Sequence, residues 1–211
     1  MIEETISADQ ARSFYDRAGA YYDWAAFYET GAKRLGLEML HLQPGQHLLN
    51  AGCGTGKLHQ KFQKAVSPGL AVGVDLSAVM ARLTGQRTGA PVCQGSVSRL
   101  PLAGESFDRV YSSYVLDLIP QTQLPQVLAE FRRVLAPGGR MVIITLTEGT
   151  TAVSRTLVAL WKAAYSVAPV ACGGCRPLQL SNLVENTGFN QIERRVIVQL
   201  GVPSEIISAV R

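Results

Sequence analysis

The feature that most constrains the fold is the stretch Leu48-Leu49-Asn50-Ala51-Gly52-Cys53-Gly54-Thr55-Gly56-Lys57. An apolar run ends in three alternating glycines and then opens into a helical pattern, Lys57-Leu58-His59-Gln60-Lys61-Phe62. That order predicts strand, tight turn and helix, with the turn backbone free to approach a ligand because no Cβ stands in the way. The spacing is G-x-G-x-G, whereas a dinucleotide fingerprint is G-x-G-x-x-G. The loop therefore marks a cofactor site without requiring a pyrophosphate, and by itself leaves the nucleotide open.

Further along, apolar runs alternate with helical patterns. Strands are predicted at 46–51, 70–75, 91–95, 107–112 and 140–145. A helix capped by Ser77 follows the second, and an amphipathic helix over 125–135 with Val127, Leu128, Phe131, Val134 and Leu135 inward precedes the fifth. Such alternation predicts an α/β, doubly wound, Rossmann-like, mostly parallel sheet of seven strands whose ligands sit beyond the carboxyl ends of the strands. After a helix over 151–165 and a short one over 181–187, the runs 191–200 and 205–210, joined by Gly201-Val202-Pro203, read as a C-terminal antiparallel hairpin. Residues 1–42 read as a helical N-terminal lid, with Ser7 as an N-cap and the aromatics Phe14, Tyr15, Tyr21, Tyr22, Trp24, Phe27 and Tyr28 clustered between two helices.

With 211 residues and 47% hydrophobic content, the chain can bury one core, so a single domain is expected: lid 1–42, cofactor-binding core 43–150, acceptor-side insert and hairpin 151–211. The net charge of +4 comes from basic residues that are scattered or paired and never form a run, so no nucleic-acid partner is expected. The Met1–Thr5 start has no targeting pattern, the four cysteines have no secreted-scaffold spacing, and no apolar stretch approaches the roughly twenty residues that cross a bilayer. A cytoplasmic protein with reduced thiols is expected. The Cys172-Gly173-Gly174-Cys175 pair has no second pair to complete a tetrahedral metal site, and reads as a loop lining a pocket. His41, His47 and His59 stand alone and are assigned no catalytic role.

Asp75 ends the second strand about twenty residues after the glycine loop, where an acid can accept hydrogen bonds from ribose hydroxyls. With it, the loop and the runs Gly95-Ser96-Val97-Ser98-Arg99-Leu100-Pro101, Ser106-Phe107-Asp108, Ser113–Pro120 and Phe131–Gly139 resemble the class I S-adenosylmethionine-dependent methyltransferases. Within that class they are most similar to the group around the ubiquinone/menaquinone C-methyltransferases and bacterial phospholipid N-methyltransferases. The resemblance implies S-adenosylmethionine as cofactor, S-adenosylhomocysteine as product and no metal. It implies that Asn50, Gly52, Cys53, Gly54 and Gly56 lie beside the methionine part, and that Asp75 and Leu76 lie at the ribose. Ser96 and Val97 then flank the adenine, Tyr114 and Val115 form the floor, and Tyr22 closes from the lid. Two positions depart from the family pattern: Asn50 and Ser96 stand where acids are usual. Tyr15, Tyr114, Asp117 and Cys175 are the expected acceptor-side residues.

Methyl transfer from a sulfonium is an in-line displacement that needs the acceptor held close and collinear in a dry site. Asp117 is the candidate base for an acceptor that must lose a proton. The expected partner is a small, amphipathic acceptor, quinone-like or like a phospholipid head group, with peripheral membrane attachment if the acceptor is a lipid. The alternatives at this stage are a non-catalytic nucleotide-binding module, a nicotinamide-dependent oxidoreductase and an arsenite methyltransferase.

Overall fold

The computed structural model describes residues 6–211; Met1–Thr5 and the side chains of residues 25–27 lie outside the described residues. Seven strands, β1 (His47–Ala51), β2 (Leu70–Asp75), β3 (Val92–Gln94), β4 (Phe107–Ser113), β5 (Leu135–Leu146), β6 (Asn190–Gln199) and β7 (Val202–Val210), form one sheet in the order β3-β2-β1-β4-β5-β7-β6. The first five are parallel and β7 is antiparallel to both its neighbours, so the expected doubly wound sheet with a terminal hairpin is what forms. Strand order reverses at β1, which pairs with β2 through Leu49↔Val72 and with β4 through Leu49↔Val110. The crevice beyond the carboxyl ends of β1 and β4 is where such a sheet accepts a ligand.

Both faces of the central sheet are covered, which is why β1, β2 and the second half of β5 are near-continuous apolar runs rather than alternating ones. Leu48 and Leu49, adjacent in sequence and both fully buried, point to opposite faces and join different cores. Leu48 packs with Phe62, Tyr111 and Ile144 under helices α3 (Thr30–Leu40) and α4 (Lys57–Val66). Leu49 packs with Val110, Leu128, Phe131 and Ile143 under helix α6 (Leu124–Val134). Helix α5 (Ala78–Thr88) starts from the expected Ser77 cap, whose hydroxyl accepts from Met80 N.

The N-terminal segment is helical as expected, but broken. Helix α1 (Ala8–Ala18) begins at a capping box on Ser7, and α2 (Tyr22–Ala25) sits between two 3-10 turns. Two boundaries differ from the sequence reading. The chain enters β5 at Leu135, five residues early, because Leu135 already pairs with Phe107 ahead of a bulge; Pro137-Gly138-Gly139 lies inside the strand rather than stopping a helix. The hairpin turns on Leu200-Gly201, both at positive φ (52° and 82°), as a two-residue turn matched to strand twist requires, so Val202 and Pro203 belong to β7. Helices α7 (Ala152–Val167) and α8 (Ser181–Asn186) flank an irregular loop between them. Among the described residues no helix is long and apolar enough to cross a membrane.

Helix α3 lies flush on β4 and β5 because Gly36 has no side chain. A Cβ there would sit 2.7 Å from Ile144 Cδ1 and 3.3 Å from Tyr111 Cε2. Gly36→Val therefore overpacks the interface and lowers stability by about 1–3 kcal/mol, read as a reduced urea midpoint with an unchanged slope. An unaltered midpoint would show that α3 is free to lift from the sheet.

Candidate functional site

The glycine loop is held from β2 and α5. Gly52 N and Cys53 N both donate to Val74 O (2.7 and 3.1 Å), Gly54 N donates to Asp75 Oδ2 (2.8 Å), and Thr84 Oγ1 donates to Gly54 O (2.7 Å). All three glycines take positive φ: 81°, 56° and 84°. Gly52 and Gly56 are close-approach positions as well, since a Cβ would lie 2.1 Å from Val115 Cγ2 and 2.8 Å from Thr84 Cα. A Cβ on Gly54 would meet nothing within 4 Å, because that residue faces open space. The loop ends at α4, whose N-terminus has no side-chain cap and leaves first-turn N–H groups unclaimed.

The open space is a cavity of about 1030 Å³. Of the predicted cofactor residues it is lined by Asn50, Gly52, Cys53, Gly54, Gly56, Asp75, Leu76, Ser96, Val97, Tyr114, Val115 and Tyr22, so the strand ends and the N-terminal segment are brought together as the sequence suggested. Asp75 has both carboxylate oxygens in use: Oδ2 on Gly54 N, and Oδ1 on Ser77 N at 2.9 Å. Burial raises its pKa, opposed by those two N–H groups. Ser96 is exposed at the rim and its hydroxyl accepts from Ser98 N at 3.2 Å. Burial pushes the Cys53 thiol up to about 12, which leaves it a neutral wall group at ordinary pH.

One wall is aromatic. Tyr15 and Tyr22 stack edge-on, with ring centroids 5.5 Å apart. Tyr22 Oη donates to Glu29 Oε1 at 3.0 Å, and Tyr15 Oη donates to Gly173 O at 3.3 Å. Burial raises the pKa of both phenols. Tyr114, at the end of β4, is held at φ 55°, a conformation rare for an aromatic residue and typical of functional sites. Its hydroxyl is tied to Ser204 Oγ at 2.8 Å, so the ring is what it offers the cavity. Lys33 Nζ lies 5.8 Å over that ring and is ion-paired with the buried Glu29.

Asp117 and Cys175 are placed differently from the reading. Asp117 is fully buried and does not line the cavity; its Oδ2 accepts from Leu146 N at 3.0 Å. Burial raises its pKa strongly, the signature of an interior carboxyl that closes a strand end. Cys175 is also buried off the cavity wall, with Sγ 3.9 Å from the Tyr15 hydroxyl. The Cys172–Cys175 loop thus supports the aromatic wall from behind. Among the described residues no His, Cys, Asp and Glu group is arranged to hold a metal.

Three features escaped the sequence reading. Asp16 accepts from Ser77 Oγ at 2.5 Å and from Val79 N at 3.4 Å, which docks α1 on the start of α5. Asp23 accepts from Thr55 Oγ1, from Arg87 Nη1 at 3.2 Å and lies 3.3 Å from Lys57 Nζ, which docks α2 on the glycine loop. The signal was present as a repeat: Tyr15-Asp16 and Tyr22-Asp23, seven residues apart, each send a ring to the cavity and a carboxylate to the core. The third feature is His59. Its Nδ1 lies 3.3 Å from Asn50 Nδ2, and burial lowers its pKa to about 4, so the ring is neutral and Nδ1 accepts from the amide. Asn50, only 3% exposed, then presents its carbonyl oxygen to the cavity.

Residues 49–143 match the family described as Methyltransferase domain. The malonyl-[acyl-carrier protein] O-methyltransferase of Serratia marcescens is 33% identical over 150 residues, 70% of this chain and 56% of that protein. The demethylmenaquinone methyltransferase of Symbiobacterium thermophilum is 32% identical over 116 residues, 51% of this chain and 45% of that protein. The chain spans about half the length of these relatives. The Haemonchus contortus phosphoethanolamine N-methyltransferase 2, solved with phosphomonomethylethanolamine and S-adenosylhomocysteine, matches with a TM-score of 0.71 at 18% identity, covering 98% of this chain and 60% of that one. At that identity the likeness is one of fold.

The site generates two expectations. The folded His59 ring resists protonation while the unfolded one titrates near 6.5, so stability falls as pH drops from about 6.5 toward 4, by about 3 kcal/mol in all. Denaturant titrations across that window check it: His59→Gln should remove this part of the slope, and an identical slope would contradict the assignment. Asp23→Asn keeps the shape of the α2 contact and removes its charge; hydrogen exchange should quicken in residues 8–25 and stay constant in β1 and β4.

Proposed function

We propose that this chain, whose residues 49–143 match the methyltransferase-domain family, transfers a methyl group from S-adenosylmethionine to a small, amphipathic acceptor. The observation that carries this reading is one continuous cavity of about 1030 Å³ that runs from the glycine loop to the ring of Tyr114. That volume lies at the upper end of small-molecule sites, enough for a nucleoside cofactor with a second ligand beside it.

The residues present fit the cofactor. A Cβ on Gly54 would project into open space, so its absence leaves a cradle in the positive-φ loop. Asn50 offers a carbonyl oxygen to the cofactor's ammonium group, weaker than an acid would be because it carries no charge. The uncapped start of α4 suits a carboxylate. Each Asp75 oxygen keeps a lone pair for a ribose hydroxyl after accepting one backbone N–H. Leu76, Val97 and Val115 supply apolar surface for a base, with Ser96 at its edge.

When bound, S-adenosylmethionine supplies an electrophilic methyl group on a sulfonium and leaves as neutral S-adenosylhomocysteine. The task left to this chain is positioning and exclusion of water. Tyr15 and Tyr22 wall off the cavity, and Tyr114 sets its floor. Leu118, Ile119 and Ala11 give the acceptor an apolar neighbour. Lys33, anchored by Glu29 above Tyr114, is the ionisable group that can orient a polar acceptor atom there, in place of Asp117, which the cavity does not reach.

Calorimetric titration tests the reading. Saturable binding of S-adenosylmethionine and S-adenosylhomocysteine is expected, without comparable binding of NADH. Asp75→Ala should weaken it about 10–100-fold, since a hydrogen bond to a charged group contributes about 1.5–3 kcal/mol. No saturable heat with the wild-type protein would overturn the proposal; binding with no methyl transfer to any acceptor would favour a binding module.

A further inference from the structure

We propose that the arm of the cavity between α3 and α4 is an anion subsite for the acceptor, in which Arg34 and Lys61 hold a phosphate or carboxylate that the acceptor carries away from its methylated atom. The inference rests on the methyltransferase reading and names a chemical class for the acceptor.

The cavity wall is unevenly charged. Arg12, Lys33, Arg34, Lys57 and Lys61 line it, against the acids Asp23 and Asp75. Most of that charge is already spoken for. Arg12 lies 2.9 Å from Asp9, Lys33 is paired with Glu29, and Lys57 lies 3.3 Å from Asp23. Asp23 also faces Arg87, and Asp75 is engaged by two backbone N–H groups. Arg34 and Lys61 are the cavity cations that have no carboxylate partner among the described residues. They come from different helices. Arg34 stands on the face of α3 that also gives Lys33 and Leu37, and Lys61 stands one turn into α4 beyond Lys57 and Leu58.

Arg34 and Lys61 are both solvent-exposed residues of the cavity lining, and two uncompensated cations bordering one cavity raise its potential toward anions. The cofactor's own carboxylate has another donor set, the uncapped first turn of α4 beside the glycine loop, so these two side chains are surplus to its binding. An acceptor reaching from Tyr114 along α3 meets Lys33 first and Arg34 next, with Leu37 and Leu58 as apolar neighbours. Such an acceptor is apolar or aromatic near the methylated atom and anionic at its far end. A guanidinium can grip either anion with two parallel N–H bonds, and an ammonium adds a movable charge.

The test titrates the protein, with and without saturating S-adenosylhomocysteine, with inorganic phosphate, malonate and, as a cationic control, ethanolamine at low ionic strength. Calorimetry reads the heat. Saturable binding of phosphate or malonate and none of ethanolamine is expected, and whichever anion binds tighter identifies the source. The double variant Arg34→Gln/Lys61→Gln should weaken that binding about tenfold or more, as loss of charge-assisted contacts requires. Its affinity for S-adenosylhomocysteine should stay within about twofold. Lys64→Gln, on α4 but off the cavity wall, should leave anion binding intact, and a thermal melt of each variant confirms folding. The proposal is overturned if wild type binds neither anion saturably, if Lys64→Gln costs as much as the double variant, or if the double variant loses S-adenosylhomocysteine affinity in parallel. Loss of that parallel kind assigns the two cations to the cofactor carboxylate. Failure of wild type to bind S-adenosylhomocysteine, with the anion titration intact, counts against the methyltransferase reading and leaves the anion site standing.

Discussion

The end of β2 holds the site together. Val74 O receives the N–H groups of Gly52 and Cys53, and the next residue, Asp75, clamps Gly54 N with one oxygen and Ser77 N with the other. Four backbone donors that open turns would otherwise expose are satisfied within two residues of one strand. The glycine loop can therefore hold three successive positive-φ turns without a ligand present, and the start of α5 is fixed in the same stroke. A carboxylate expected only to meet ribose is first a structural part of the loop that would hold the cofactor.

The N-terminal segment depends on that frame. Asp16 docks on Ser77, which Asp75 has positioned, and Asp23 docks on Thr55 inside the loop. Each docking carboxylate follows a tyrosine that faces the cavity, so the same segment forms the aromatic wall and contacts the core. Arg12, Lys33 and Lys57 are paired with Asp9, Glu29 and Asp23, which is why the two cations left over on α3 and α4 stand out. Lys33 and Glu29 form the ionisable pair at the aromatic wall, while Asp117 and Cys175 sit behind it.

Much of this was legible in the sequence. The glycine loop, the strand-helix alternation and the terminal hairpin are written in local patterns of apolar and turn residues, and these indicate the doubly wound sheet and the edge that carries the site. Strand limits were less legible, because where β5 starts depends on Leu135 meeting Phe107 across the sheet, a contact with no local signature. The same limit applies to Asp117. Its position after β4 suggested the cavity, yet the one-turn 3-10 helix at Leu116–Leu118 rotates it inward to Leu146 N. His59 reads as an ordinary helical residue until β1 is laid beside α4, when it becomes the partner that turns the amide of Asn50. An asparagine in an acid's place then has a physical reason: it matches a neutral, buried histidine, with which it exchanges a hydrogen bond and no charge.

The central claim is that one cavity brings the sulfonium methyl group between the glycine loop and the ring of Tyr114. Nuclear magnetic resonance with S-adenosylmethionine carrying a carbon-13 methyl tests it most directly. The account predicts an upfield shift of the methyl proton signal, nuclear Overhauser contacts to the Tyr114 ring, and amide shifts confined to Gly52–Gly56, Asp75–Ser77 and residues around Val115. A methyl signal unchanged by the protein, or contacts that map outside this cavity, would contradict it.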